Sequence, residues 1–167
     1  LRVVNRSGAA ACQAFLASSA ARHFLQAGRL VRSRVLEPAE ACTLLSGLLP
    51  GELSAEASLV LEHERIWFPT FPYEWPPEML HATGCLTLEL AQRLLPEGLG
   101  LKDATPYNIL FRGPEPVFVD VLSVEQRDPL DPLWLPYAQF VRTYLLPLLV
   151  NKTFGLPLEQ LLTTRPD

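Results

Sequence analysis

The chain has 167 residues, 49% of them hydrophobic, which is one domain's worth of material with enough apolar side chains for a real core. A net charge of −4 without a basic run argues against nucleic acid as the main partner. Cys12, Cys42 and Cys85 lie far apart with no CxxC pair, so a reducing, cytoplasmic setting is expected rather than a disulfide scaffold.

Val3–Asn5 reads as a strand running into a turn. Ala9–Gln26 is alanine-rich, with Phe15, Leu16, Phe24 and Leu25 at helical spacing and Gly28 placed to stop it; this predicts a helix. Leu30–Leu36 alternates apolar residues with Arg32 and Arg34, the pattern of a half-exposed strand. Pro38 opens a short helix through Leu45, ended before Gly47 and a Pro50–Gly51 turn. Ser58–His63 and Arg65–Phe68 predict two paired strands meeting at His63–Glu64.

Pro69–Trp75 is an aromatic, proline-broken run without helical period, expected as a hinge between two halves, with Trp67 and Trp75 buried. The aromatics around it can line a ligand cleft or form interlobe core, and core is the reading taken. Pro76 and Pro77 start a helix in which Met79, Leu80, Leu86, Leu90 and Leu94 make an apolar face. His81 and Cys85 stand i,i+4 on it, as zinc ligands can, but without a second pair they read as packing. Helices are expected again around 134–150 and 157–162. Pro136, Gln139, Arg142 and Pro147 interrupt the first of these, so it reads as buried rather than membrane-spanning. No signal peptide opens the chain, and its one methionine is Met79, so a trimmed piece of a longer protein is expected.

The stretch Leu99–Val124 carries the chemistry. Ile109–Phe111 and Val117–Val119 flank a Gly/Pro turn and predict a hairpin of short buried strands. Asp103 and Asn108 precede it and Asp120 follows it, so two carboxylates and an amide can converge at one end of a small sheet. Hard oxygen donors in that arrangement suit Mg²⁺ and phosphoryl chemistry. The same residues also serve as ordinary turn and cap formers.

Asp103, Pro106, Asn108, the hairpin and Asp120 together resemble the pattern of the protein-kinase-like phosphotransferases, including the aminoglycoside and choline kinase type. The resemblance implies an α+β, protein-kinase-like fold: a small mixed β lobe over 1–71 and a mainly helical lobe over 76–167 carrying the hairpin. It also implies Asp103 as catalytic base, Asn108 and Asp120 as Mg²⁺ ligands, and ATP as cofactor. The chain departs from working kinases in several ways. Leu101 stands where a His precedes the loop Asp, and Asp120 is followed by Val121 and Leu122. No lysine precedes Lys102, and no glycine-rich phosphate loop is visible. Lys102 can bind a phosphate or simply face solvent before a loop. Arg32 and Arg34 can stand in for the missing lysine, or form the solvated face of a strand, which is the favoured reading.

A second resemblance is narrower. Phe68–Leu80, the leucine-rich helix, Leu101–Asn108 and Phe118–Glu125 are similar to the amino-terminal region of bacterial class I SAM-dependent methyltransferases of the nodulation type. It implies a downstream methyltransferase domain as partner, with SAM bound there, since no glycine-rich strand–loop–helix for SAM occurs in this chain. Three functions follow: an accessory kinase-like module of a methyltransferase, an active small-molecule or glycan phosphotransferase, or a plain interaction domain.

Overall fold

The computed structural model describes residues 1–46 and 57–163. It is a mixed α+β structure with small sheets. β1 (Arg2–Asn5), β2 (Ser33–Val35) and β3 (Ala57–His63) form an antiparallel sheet with β3 in the middle. Alternation along β3 sends Leu59 and Leu61 into the main core. Val60 goes to the other face, under Leu36, Ala41 and Leu45. Ala41 and Leu45 belong to α3 (Pro38–Ser46), the short helix expected after Pro38. The expected turn at Pro50–Gly51 lies outside the described residues.

The expectation of a strand over Arg65–Phe68 is wrong, and the reason is local. Both edges of β3 are taken, by β1 and β2. Phe68 stands at φ 48°, directly before Pro69. A bulky residue in that region costs about 1–3 kcal/mol and cannot continue a strand. The expected burial of Trp67 fails with it, since Trp67 is 66% exposed; Trp75, at 4%, is buried as expected. The run from Pro69 forms no strand and holds only a short 3₁₀ turn, Pro72–Glu74.

The N-terminal helix is two helices, α1 (Arg6–Ala17) and α2 (Ser19–Gln26). Ser18 adopts extended backbone and its Oγ accepts from Ala21 N at 2.9 Å, so it caps α2 instead of continuing α1. The carboxylate of Glu97 closes the same helix start, accepting from Ser19 N and Ala20 N at 2.8 Å and from Ser19 Oγ at 2.9 Å. Burial pushes Glu97 up, but these donors outweigh it and hold the carboxyl below its usual range.

α4 (Pro77–Leu94) begins with proline at its first position and buries Leu80, Leu86, Leu90 and Leu94. α5 (Tyr137–Phe140) passes through a π turn, Val141–Leu145, into α6 (Leu146–Phe154), which Gly155 ends at φ 67°. The helix therefore lies a few residues later than expected. α7 (Leu158–Thr163) follows. Tyr144 is fully buried, with its hydroxyl 3.1 Å from Thr87 Oγ1, and burial pushes its phenol well above the ordinary range. It shares a second core with Trp75, Leu80, Phe111 and Leu158.

The main core takes Val4, Phe15, Phe24 and Leu61 together with Leu86, Leu90, Leu94, Ile109 and Phe118. Phe118 also bonds through its backbone to Arg29 and Val31, both at 2.9 Å. Residues before and after the 64–76 connection thus share one apolar interior. Among the described residues no helix is long and apolar enough to cross a membrane.

Candidate functional site

Two strand pairs define the region around Asp103. β4 (Leu99–Leu101) pairs antiparallel with β7 (Val124–Gln126), Leu101 opposite Val124. Between them β5 (Ile109–Arg112) and β6 (Glu115–Phe118) form the expected hairpin, turned by Gly113 at φ 59° and Pro114. Because β4 and β7 are neighbours, the loop leaving β4 and the loop entering β7 lie side by side. Lys102 N donates to Ser123 O at 2.7 Å, and Val119 N to Asn108 O at 2.9 Å, which stitches the two loops together.

Within this frame Asn108 Nδ2 donates to Asp103 Oδ1 and, at 3.0 Å, to Ser123 Oγ. Ser123 Oγ donates toward the Asp103 carboxylate, 3.2 Å from each oxygen. Asn108 and Ser123 are buried and Asp103 is half-buried, so two corners of the triangle are shielded from water, where such bonds are worth most. Asp120 lies on the second loop and caps the short 3₁₀ turn Val121–Ser123, accepting from Leu122 N at 3.2 Å. Its Oδ1 also meets Arg2 of β1 at 3.1 Å. Asp103 and Asn108 are thus in contact, with Asp120 on the adjoining loop.

Lys102 Nζ donates to Leu122 O at 3.0 Å. The lysine borders a cavity of about 490 Å³ whose other walls are Val3, Val4, Asn5, Ser7, Gly8 and Leu122. Of the four expected site residues only Lys102 lines it. Cys12 is buried, and burial pushes its thiol up against the opposing charges of Lys102 and Arg2. Arg34 pairs with Glu40 and Glu62, and Arg32 is exposed beside Glu64, so neither contacts this site. The cation that reaches it is Arg2, which carries no sequence signal. Ser123 was also missed, since it stands among apolar neighbours with no motif around it.

The donor set fits a hard divalent ion in part. Both bonds of the Asn108 amide use its nitrogen, which leaves the amide oxygen for a cation. Asp120 makes its contacts through Oδ1, which is shared by Arg2 and Leu122 N. Among the described residues no group of three His, Cys, Asp or Glu side chains could hold a metal, and His81 with Cys85 gains no third ligand. Two oxygens completed by ligand and solvent oxygens are what Mg²⁺ accepts.

No family model matches the chain, and no solved structure matches it. Among curated proteins it is similar to Nodulation protein NoeA of Rhizobium meliloti (strain 1021), 36% identical over 145 residues. That alignment takes in 83% of this chain but 29% of the relative, so the chain corresponds to under a third of that protein's length.

Proposed function

We propose that the chain is a kinase-like accessory module of a SAM-dependent methyltransferase-family protein, with a degenerate Mg²⁺-nucleotide site at Asp103, Asn108 and Asp120. The observation that carries this reading is the pairing of Leu101 with Val124, which sets the Asp103–Asn108 loop beside the Asp120 loop. A kinase catalytic loop and its metal-binding Asp need that adjacency. The similarity to the nodulation protein supports the link to a longer bacterial protein.

In this reading Asn108 and Asp120 hold the ion and Lys102 faces the phosphates. When bound, Mg²⁺ would supply positive charge against the phosphates. Asp103 would orient a hydroxyl, yet both its oxygens are engaged by Ser123. Arg2 sits on one oxygen of Asp120, and Lys102 is drawn to a backbone carbonyl. These contacts support weak, metal-dependent nucleotide binding and little or no phosphoryl transfer. The same triangle supports a second reading, an interaction domain whose polar residues only tie two loops.

Calorimetry with ATP, with and without Mg²⁺, on wild type and Asp120→Ala separates these. Weak Mg²⁺-dependent binding lost in the variant is the expected result. Tight binding with turnover abolished in Asp103→Ala would restore the active phosphotransferase. Absence of any binding would leave the interaction domain.

A further inference from the structure

The segment Arg65–Tyr73 crowds aromatic rings onto the surface. Trp67 is 66% exposed, Phe68 90%, Phe71 43% and Tyr73 37%. Single exposed apolar residues need no explanation, but four within seven residues form a patch. The backbone at Phe68 is held at φ 48°, where sterics oppose a bulky side chain and the following proline opposes it again. Strain of this kind persists where a surface must present a particular group.

Beside the patch lies a hollow of about 420 Å³, lined among others by Arg65, Trp67, Phe68, Thr70, Phe111 and Arg112. The residues around it are fixed. Phe111 packs edge-on against the buried Trp75 at 5.1 Å, and Trp75 Nε1 donates to Thr70 Oγ1 at 2.9 Å. Arg112 is anchored by Glu64 and by Gly28 O at 3.2 Å. Arg65 differs: its guanidinium lies 4.4 Å from the centre of the Trp67 ring, and among the described residues it meets no carboxylate. The hollow therefore joins aromatic faces to an uncompensated positive charge, on a chain whose net charge is −4. A cationic ligand is disfavoured, because the guanidinium groups of Arg65 and Arg112 both line the hollow and like charges repel. The hollow shares no lining residue with the cavity beside Lys102.

We propose that this hollow binds a flat-ringed anion, an aromatic ring bearing a carboxylate or phosphate, with the ring on Trp67 and Phe68 and the anion on Arg65. Apolar walls with a few converging polar groups are how small-ligand sites are built. Guanidinium geometry favours a planar carboxylate or phosphate over other acceptors.

The probes are 2-naphthoate and 2-naphthylmethylammonium, which share a ring and differ in charge, titrated by calorimetry into the whole chain. Naphthoate is expected to bind saturably at one per chain and the ammonium about tenfold or more weakly. Arg65→Gln and Trp67→Ala should each weaken naphthoate by about tenfold, while Trp67→Phe, which keeps a stacking face, stays within about threefold. Melting temperature monitors folding in each variant. Equal affinity for the two probes would overturn the proposal, as would no saturable binding or unchanged binding in both Arg65→Gln and Trp67→Ala.

Discussion

Arg2 of the first strand holds its guanidinium 3.1 Å from the carboxylate of Asp120, on the loop after the hairpin. The contact joins the N-terminal sheet to the candidate site. It also neutralises the carboxylate that a metal ion would need. Arg2→Ala should raise Mg²⁺ affinity by up to about fivefold, because an exposed pair is worth about 0–1 kcal/mol. Stability should fall by no more than the same amount. Calorimetry with MgCl₂ alone and urea unfolding measure the two effects, and unchanged Mg²⁺ affinity would mean that Asp120 does not face the ion.

Asn108→Asp places a second carboxylate, itself at a buried position, against the half-buried Asp103. Two carboxylates in contact cannot both ionise freely, so one is pushed up and keeps its proton. A raised folded-state pKa gives stability that is present below the ordinary carboxylate range and lost as pH rises through the raised value. The variant should therefore lie close to wild type at pH 4 and fall about 3 kcal/mol below it at pH 7. Urea midpoints at the two pH values check the sign.

His63 gives the opposite pH dependence. Burial holds its imidazole below the usual histidine value, helped by the charges of the first residue and Arg2 and opposed by Asp120. Its ring also meets Ser33 Oγ at 2.7 Å. Folded His63 thus resists a proton that the unfolded chain takes up. Stability should decline as pH falls from about 6.5. In His63→Asn that part of the decline should disappear from a series of melting curves, and a wild-type decline retained in full would assign it to other groups.

Gly84→Ala sets two effects against each other. Alanine gains about 1 kcal/mol over glycine inside a helix. A Cβ at residue 84 would meet Tyr144 Cδ1 at 3.3 Å, so that fully buried ring would have to shift by a few tenths of an ångström. Overpacking costs about 1–3 kcal/mol, so a net loss of about 1 kcal/mol is expected. A melting temperature above that of wild type would show that the ring can yield.

How much of this could be read from the residues differs from element to element. The hairpin and α4 were legible because each has an unambiguous pattern, apolar runs around Gly113–Pro114 in one and a long apolar face behind Pro77 in the other. β4 and β7 were not, since three residues are too few to show a period and Leu99–Leu101 looks like a turn. The break at Ser18 hid inside an alanine-rich run, and its second support, Glu97, lies 78 residues away. Trp67 and Phe68 looked like a buried strand because their composition is that of one. Asp103 and Asn108 were found by spacing. Ser123, which bonds both, was hidden among apolar neighbours, and Arg2 acts only through three-dimensional proximity.

The pairing of β4 with β7 also bears on how the molecule moves. The segment between Leu101 and Val124 is closed at its base by one short ladder, cross-linked by Lys102 N and Val119 N, and tied to the rest of the fold through Phe118 of its hairpin. Asp103, Asn108 and Ser123 are bonded to one another across the two loops, so a local opening there should disturb all three. The backbone amides of Lys102 and Val119 should therefore exchange with deuterium at a common rate, as one cooperative unit. The candidate site is present whole or not at all, so anything that binds it stabilises a folding unit as well as a pocket.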